Sequence, residues 1–306
     1  ESCAACGLAD FAQRMFQLER ASECADILER VLYNAVPHGI SLEGATTYYQ
    51  NPLSDRDHPR YNSWVCCPPN LSRTLFQIGR YAYAIGERDL YVNLYVGGTC
   101  EVPLPSGAVS LRVQTEYPWE GQVEIQMNPK APARFGLHLR LPGWCERAQL
   151  ALNGQTIAPL PQTDSGYLRL DREWKAGDTI RLTLPMPVQR LEAHPNIRDC
   201  AGKVALQRGP VVYAFEGLDN DGGAEVVLGA AAEFQPEYRP NFLGGVTVLK
   251  GETAAGKPCM AIPFYALANR DKSSQEVWVR QQGLVANPAW WEGKLYRPVK
   301  WVGPKQ

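Results

Sequence analysis

The spacing of apolar residues changes near residue 90, and this change limits the folds that the sequence can adopt. Before it, apolar residues recur every three or four positions, as a helix with one buried face requires. The first such stripe is Leu8, Phe11, Ala12, Met15 and Phe16. After it, apolar and polar residues alternate in short runs, which is typical of strands. The sequence therefore predicts a helical first part and a strand-rich remainder.

The strand-rich part contains several alternating runs separated by turn residues, a pattern typical of antiparallel β-sandwiches. The clearest runs are Val109 to Val113, Val123 to Met127 and Phe135 to Leu141. Asn153-Gly154 predicts a tight hairpin turn. A proline-containing stretch from Leu184 to Val188 predicts a boundary between two β-rich segments. We therefore expect domains over residues 1–97, 98–188 and 189–306.

Composition excludes several classes of partner. A net charge of -1 over 306 residues gives no broad basic surface, so we expect no nucleic-acid partner. No apolar run is long enough to span a bilayer, so we expect no membrane partner. The nine cysteines do not form the pattern of a small disulfide-stapled domain and predict reduced thiols, hence a cytoplasmic location. Because the sequence opens at Glu1 without methionine, a signal peptide further upstream is not excluded by this argument.

Two adjacent cysteines, Cys66 and Cys67, stand directly before Pro68-Pro69-Asn70 and an amphipathic segment. Prolines are well tolerated in the first turn of a helix, and the unpaired N–H groups there stabilise thiolates. We expect a helix that begins at these prolines and ends at Gly86. Its apolar face would contain Leu71, Leu75, Ile78, Ala82 and Ile85.

The cysteines offer two possible metal sites. One set combines a carboxylate with three thiolates, a group that suits zinc better than magnesium or calcium: Glu1, Cys3, Cys66 and Cys67. A rival set replaces Glu1 with Cys6 and gives a closed structural site of four sulfurs. A third interpretation is that the adjacent pair consists of inert packing thiols or a vicinal disulfide. We expect Cys6 to pack as a small hydrophobe.

Carboxylates and aromatic residues supply further candidates for a site. Glu29 and Glu43 are the carboxylates of the helical part, and by spacing alone Glu29 is most simply a surface group. Four aromatic residues precede the double cysteine, where they can stack on a sugar or fill the core. They are Tyr48, Tyr49, Tyr61 and Trp64.

Together the motifs resemble glycoside hydrolase family 127, the β-L-arabinofuranosidase family, over nearly the whole chain. In the helical part the resemblance is carried by Glu1-Ser2-Cys3-Ala4, Glu29 to Asn34, Gly39 to Gly44, Tyr48 to Leu53 and Cys66 to Asn70. In the β-rich part it is carried by Tyr117-Pro118-Trp119, Leu139 to Trp144, Asn153-Gly154, Gln207 to Tyr213 and Ala268-Asn269-Arg270.

The resemblance implies a multidomain α+β fold, in which the C-terminal part of an (α/α)6 barrel precedes antiparallel, jelly-roll-like β-sandwich domains. It also implies a zinc-dependent retaining glycoside hydrolase that releases terminal β-L-arabinofuranose from plant-derived glycans. By motif, Zn²⁺ would be held by Glu1, Cys3, Cys66 and Cys67. Cys66 would also be the catalytic nucleophile, and Glu29 and Tyr49 would contact the sugar.

Hydrolysis with retention of the anomeric configuration requires a carboxylic acid about 5 Å from the nucleophile. In the family this acid lies upstream of the Glu-x-Cys motif, so we expect an upstream segment of the same polypeptide as a partner and little turnover by this chain alone. A homodimer is a further candidate assembly. Two alternatives stay open: a carbohydrate-binding or structural module with a structural zinc site, and a related glycosidase that acts on another furanose-like sugar.

Overall fold

The computed structural model of the chain describes residues 1–55, 65–163, 165–284, 291 and 294–299. These residues form a mixed α and β protein with few helices and many strands. No helix within these ranges combines the length and the apolar character needed to cross a bilayer. Tyr61 and Trp64, two of the aromatic residues discussed above, lie outside the described residues.

The helices lie in the first third of the chain. The described ranges contain α1 (Ser2–Glu19), α2 (Ser22–Arg30), α3 (Val36–His38), α4 (Cys67–Phe76) and α5 (Ile78–Ala82). A π-helical turn at Val31–Ala35 joins α2 to α3. Short 3-10 turns occur at Arg198–Cys200, Gly217–Asp219 and Phe264–Ala266.

The strands occupy most of the remainder. They are β1 (Ser54–Asp55), β2 (Tyr83–Ile85), β3 (Asp89–Val92), β4 (Gly98–Leu104), β5 (Gly107–Thr115), β6 (Gln122–Pro129), β7 (Ala133–Arg140), β8 (Gln149–Leu152), β9 (Gln155–Ile157), β10 (Tyr167–Trp174), β11 (Asp178–Thr183), β12 (Val188–Ala193), β13 (Lys203–Arg208), β14 (Val211–Glu216), β15 (Val227–Leu228), β16 (Gln235–Arg239), β17 (Val246–Glu252), β18 (Pro258–Pro263), β19 (Gln275–Glu276), β20 (Val279–Gln281) and β21 (Tyr296–Pro298).

The chain divides into two compact units. Unit one contains Glu1–Cys3, Tyr33–Leu71 and Pro187–Gln306, and unit two contains Ala4–Leu32 and Ser72–Met186. The predicted division at residues 97/98 and 188/189 stays a prediction.

Unit two contains a six-stranded antiparallel sheet, in the order β4-β5-β6-β11-β8-β9. The alternating runs of the sequence form its buried face, since Val109, Leu111 and Ile125 are all inaccessible to solvent. A second sheet has the order β10-β7-β3-β2. Within it, β3 and β7 are parallel, which differs from the all-antiparallel prediction. Three of the four residues of β3 are buried, so both of its faces are covered, as is usual for strands in parallel pairs.

Unit one contains a sheet whose main path is β15-β20-β13-β14-β18-β17-β16. Strands β1, β12, β19 and β21 pair with this sheet off that path. A core of aliphatic and aromatic side chains includes Val246, Val248, Ile262 and Phe264. The short pairing of β1 with β19 attaches the segment that follows Tyr49 to the edge of this sheet.

The helix predicted to end at Gly86 is shorter than expected. It is interrupted at Gln77 and ends at Ala82, after which Tyr83–Ile85 form β2. This prediction was wrong because β2 pairs antiparallel with β3, with Tyr83 opposite Val92 and Ile85 opposite Leu90. The ladder satisfies the backbone N–H and C=O groups that a further helical turn would have paired. Pairing with a distant strand therefore outweighs the local helical spacing.

The apolar stripe predicted for α1 is only partly correct. Leu8 and Phe11 are 45% and 61% exposed. The buried face consists of Cys6, Ala9, Ala12 and Phe16. Phe16 lies against the rings of Tyr91 and Tyr167, with centroids 5.9 and 6.2 Å away. The apolar spacing of α1 fits two faces of the helix and does not show which one is buried. The aromatic partners in unit two determine that the face with Phe16 is buried.

The hairpin predicted at Asn153-Gly154 is confirmed and gives a test of the fold. The two residues join β8 to β9 with φ angles of 49° and 80°. Gly154→Ala should lower the free energy of unfolding of unit two by about 1 kcal/mol, because a Cβ is disfavoured at positive φ. Urea unfolding followed by circular dichroism measures the change.

Gly7→Ala is the matched control for this substitution. Gly7 lies within α1, and an added Cβ there would meet no atom within 4 Å. Alanine is favoured over glycine in a helix, so this variant should be more stable by up to about 1 kcal/mol. Shifts of the same sign in both variants would contradict the backbone assignment at Gly154.

Candidate metal centre

Four side chains lie close together, two at the N-terminal end of α1 and two at the N-terminal end of α4. The ligand atoms of Glu1, Cys3, Cys66 and Cys67 all lie within 4.8 Å of one another. Cys67 is fully buried, Cys3 and Cys66 are half-buried, and Glu1 is exposed. The cluster therefore has a buried sulfur side and an accessible side that contains Cys66 and the carboxylate.

The beginning of α1 is held in place by the loop that precedes the double cysteine. The Ser2 N–H donates to the Tyr49 carbonyl oxygen at 2.9 Å, and the Ser2 hydroxyl donates to the Tyr48 carbonyl oxygen at 2.6 Å. Gly39 permits this arrangement, because a Cβ there would lie 2.7 Å from Ser2 Oγ. Fixing Ser2 also fixes the residues on either side of it, Glu1 and Cys3.

The other two ligand groups lie at the start of α4. As predicted, Pro68 and Pro69 occupy the first turn, where no intrahelical hydrogen bond is lost. Asn70 Nδ2 donates to the Cys66 carbonyl oxygen at 2.9 Å and to Cys3 Sγ at 3.4 Å. The Asn70 side chain was not singled out in the sequence, although its position four residues after Cys66 places it on the same side of the helix.

The distances between sulfurs match a tetrahedral metal site. Cys3 Sγ is 3.4 Å from Cys67 Sγ, and Cys66 Sγ is 3.9 Å from Cys67 Sγ. Metal–sulfur bonds of about 2.3 Å in a tetrahedron would separate two sulfurs by about 3.8 Å. A disulfide requires about 2.05 Å. The vicinal disulfide is therefore wrong, and none of the nine cysteines, all of which lie within the described residues, forms a disulfide.

The fourth ligand group is a carboxylate. Glu1 Oε1 lies 3.8 Å from Cys66 Sγ. Among the described residues, the group that can hold a metal ion contains Glu1 and not Cys6, which disagrees with the rival set of four sulfurs. Cys6 is instead buried on α1, as expected for a packing residue. Three sulfurs and one oxygen favour a thiophilic divalent cation over magnesium or calcium.

The electrostatics of the cluster explain why a cation would be favourable. Burial, together with the neighbouring sulfurs of Cys66 and Cys67, raises the pKa of the Cys3 thiol to about 12. The hydrogen bond from Asn70 opposes these effects by lowering that pKa. Without a cation, the Cys3 thiol therefore retains its proton at neutral pH. A metal ion that binds must displace it.

Tyr49, a predicted sugar contact, lies beside the cluster. Its side chain is 41% exposed, and its hydroxyl donates to Glu1 Oε2 at 3.0 Å. This hydrogen bond, followed by the charge of Glu1, raises the pKa of Tyr49. Tyr49 therefore stays protonated, orients the carboxylate and presents an accessible ring next to Cys66.

Glu29, the other predicted sugar contact, lies in unit two and has a different environment. Its carboxylate is 1% exposed and accepts hydrogen bonds from Tyr117, Arg140 and Trp144. The Arg140 guanidinium is inaccessible and also pairs with Asp26. The expectation of a surface residue, based on spacing alone, was wrong because Glu29 balances the charge of this buried arginine.

A groove of about 1140 Å³ lies elsewhere in unit one. It is lined mainly by the segments 229–233 and 250–260, and none of the four ligand residues contributes to its walls. As far as the described residues show, the group of side chains that could hold a metal ion lies outside this groove. We therefore place the candidate site at the cluster.

Family models match three consecutive parts of the chain. Residues 1–80 match the family model of the β-L-arabinofuranosidase GH127 catalytic domain. Residues 89–186 match the GH127 middle domain, and residues 188–280 match the C-terminal domain of glycoside hydrolase family 127. The four ligand residues all fall within the match to the catalytic domain.

Similar proteins extend over nearly all of the chain. A non-reducing end β-L-arabinofuranosidase of Bifidobacterium longum subsp. longum is 31% identical over 92% of this chain and 49% of its own length. A GH127 β-L-arabinofuranosidase structure from Geobacillus stearothermophilus T6 is 35% identical, with a TM-score of 0.86 over 92% of this chain and 50% of that one.

A GH127 β-arabinofuranosidase structure is 30% identical, with a TM-score of 0.85 over 92% of this chain and 49% of its own. The chain thus spans about half the length of the relatives that it matches. Three consecutive family models, the cysteine cluster within the first of them and these structural neighbours lead to one assignment: the chain belongs to glycoside hydrolase family 127.

Proposed function

We propose that this chain carries the zinc site and the nucleophile of a retaining β-L-arabinofuranosidase. The observation that carries the proposal is the convergence of Glu1, Cys3, Cys66 and Cys67, with only part of the cluster accessible. Zn²⁺ is the cation that fits this donor set best. When bound, it would keep the sulfurs as thiolates and stabilise the sulfur that leaves the sugar.

Accessibility supports Cys66 as the nucleophile. Cys67 is fully buried, and Cys3 Sγ accepts a hydrogen bond from Asn70. Cys66 Sγ is half-buried and lies next to the exposed carboxylate of Glu1. In the proposed reaction, the Cys66 thiolate attacks the anomeric carbon, a C–S bond forms and the C–O bond to the leaving group breaks. Water then attacks the same carbon, and the C–S bond breaks to return the thiolate.

These steps also require a proton donor. A carboxylic acid must protonate the leaving oxygen and then accept a proton from the attacking water. Following the family pattern, we propose that this acid is supplied by sequence that precedes the Glu-x-Cys motif. The helices of the first hundred residues would then form part of an (α/α)6 barrel whose remaining helices come from the same upstream sequence, and the sheets would form the predicted sandwiches.

The substrate of the proposed enzyme is a terminal furanoside. The relatives are named as β-L-arabinofuranosidases, so we propose terminal β-L-arabinofuranose of plant-derived glycans as the sugar. Tyr49 offers a ring at the accessible side of the cluster where that sugar would bind. The second candidate among enzymes is a related glycosidase that acts on another furanose-like sugar.

The alternative from another class is a module in which the metal has only a structural role. A structural zinc site is normally closed by four protein ligands and shielded from solvent. Here one of the four candidate ligand groups is exposed and two are half-buried, which favours the enzyme.

The metal site gives the first test of the proposal. The chain should bind one zinc ion in equilibrium dialysis, and its affinity should fall when the pH is lowered from about 8 to about 6, because protons compete with the metal for the cysteine sulfurs. Cys3→Ser should weaken binding by at least about 10-fold, whereas Cys6→Ser should not. Equal losses in both variants would favour the rival site of four sulfurs.

The nucleophile gives the second test. In the complete protein, a sugar analogue with a haloacetamide group should label Cys66, and Cys66→Ser should lower kcat for an aryl arabinofuranoside by about 10³-fold or more. Peptide mass spectrometry locates the label. Cys200→Ser is the matched control, because Cys200 is also a free, half-buried cysteine of unit one. Labelling that survives Cys66→Ser would move the nucleophile to another residue.

Glu29 gives the third test, because its proposed contact with sugar and its observed partners predict different results. Glu29→Gln should lower the free energy of unfolding by about 3 kcal/mol, since it removes a buried partner of Arg140. The control Glu124→Gln removes an exposed partner of Arg181 and should cost less than about 1 kcal/mol. Unchanged stability together with a raised KM in the complete enzyme would instead support a direct contact with sugar.

A further inference from the structure

One amide connects the two helical segments that supply the metal ligands. Asn70 Nδ2 donates to the Cys66 carbonyl oxygen in the first turn of α4 and to Cys3 Sγ at the beginning of α1. The first contact is between residues four positions apart and is local to the helix. The second joins residues 67 positions apart and has no role in forming α4.

From this geometry we infer that Asn70 is a positioning residue that orients Cys3 and tunes it as a metal ligand. The inference rests on the proposed metal site and adds to it a group that is not itself a ligand. Groups of this kind commonly fix the direction of a ligand's lone pairs and adjust how much charge it donates to the metal.

The crowding of the sulfurs explains why Cys3 needs such a donor. Its Sγ is only 3.4 Å from that of Cys67, and this sulfur–sulfur distance is shorter than the 3.9 Å between the two adjacent cysteines. Two thiolates this close repel each other even when they share a cation. An N–H group that points at one of them withdraws part of its charge and reduces the repulsion.

The same amide also limits how Cys3 can move. The hydrogen bonds of Ser2 hold the backbone at the start of α1, whereas the hydrogen bond from Asn70 acts on the Cys3 sulfur itself. Asn70 is held by its hydrogen bond to the Cys66 carbonyl oxygen, and the Nδ2 group is thereby aimed at Cys3. Loss of Asn70 should therefore leave α4 intact but release Cys3 from its position in the cluster.

The test uses Asn70→Ala and Asn70→Leu in the 306-residue chain. Alanine keeps the helix because it has the highest helix propensity, and leucine keeps the branched shape of asparagine without an N–H donor. Asn269→Ala is the matched control, since Asn269 is also half-buried and its Nδ2 donates to carbonyl oxygens of Ala266 and Leu267, not to sulfur.

Two measurements would be made on each variant. In competition with a chromophoric chelator, both Asn70 variants should bind zinc about 10-fold to 100-fold more weakly, and Asn269→Ala should bind it as the unmodified chain does. With Co²⁺ as a spectroscopic substitute, the sulfur-to-metal charge-transfer band should move to longer wavelength in the Asn70 variants, because a sulfur without its hydrogen bond gives up an electron more readily.

The outcomes separate this inference from the proposed function. If the unmodified chain binds neither Co²⁺ through sulfur nor zinc, the metal site itself is wrong. If it binds both, and the Asn70 variants retain its zinc affinity and charge-transfer energy, the site stands and the role of Asn70 is wrong. Weaker zinc binding with an unchanged cobalt band would also overturn the inference, because it would indicate a general loss of stability and not an effect on Cys3.

Discussion

Repulsion among crowded sulfurs is the constraint on which the candidate site depends. Three cysteines and a carboxylate are brought within 4.8 Å of one another by two hydrogen bonds of Ser2, the close approach at Gly39 and the first turn of α4. Such a group is unfavourable as a set of bare anions, and burial, together with the neighbouring sulfurs, raises the pKa of Cys3. A divalent cation removes the conflict, since each thiolate then faces positive charge.

The surroundings of the three sulfurs in the cluster also differ, and this difference underlies the proposal of Cys66 as the nucleophile. Burial protects Cys67, the Asn70 amide engages Cys3, and Cys66 lies at the accessible side beside Glu1 and the Tyr49 ring. One set of ligands thus contains groups with different roles. A site that only stabilised the fold would not need this asymmetry, which is why the accessibility of Cys66 supports an enzyme more strongly than the number of sulfurs does.

Much of this arrangement could be predicted from local patterns. Strands β5 and β6 follow from their alternation because each buries one face, and Asn153-Gly154 specifies its own turn. The start of α4 follows from its prolines. Three features could not be predicted in this way: the end of α5, the buried face of α1 and the burial of Glu29. Each depends on partners far along the chain, such as β3 for β2 and Arg140 for Glu29.

The most direct test of the account is X-ray absorption at the zinc edge of the zinc-loaded chain. The account predicts a first coordination shell of three sulfurs at about 2.3 Å and at least one oxygen at about 2.0 Å. The sulfur count should drop to two in Cys66→Ser. A shell of four sulfurs, or a shell that lacks sulfur, would contradict the assignment of Glu1, Cys3, Cys66 and Cys67 as the metal ligands.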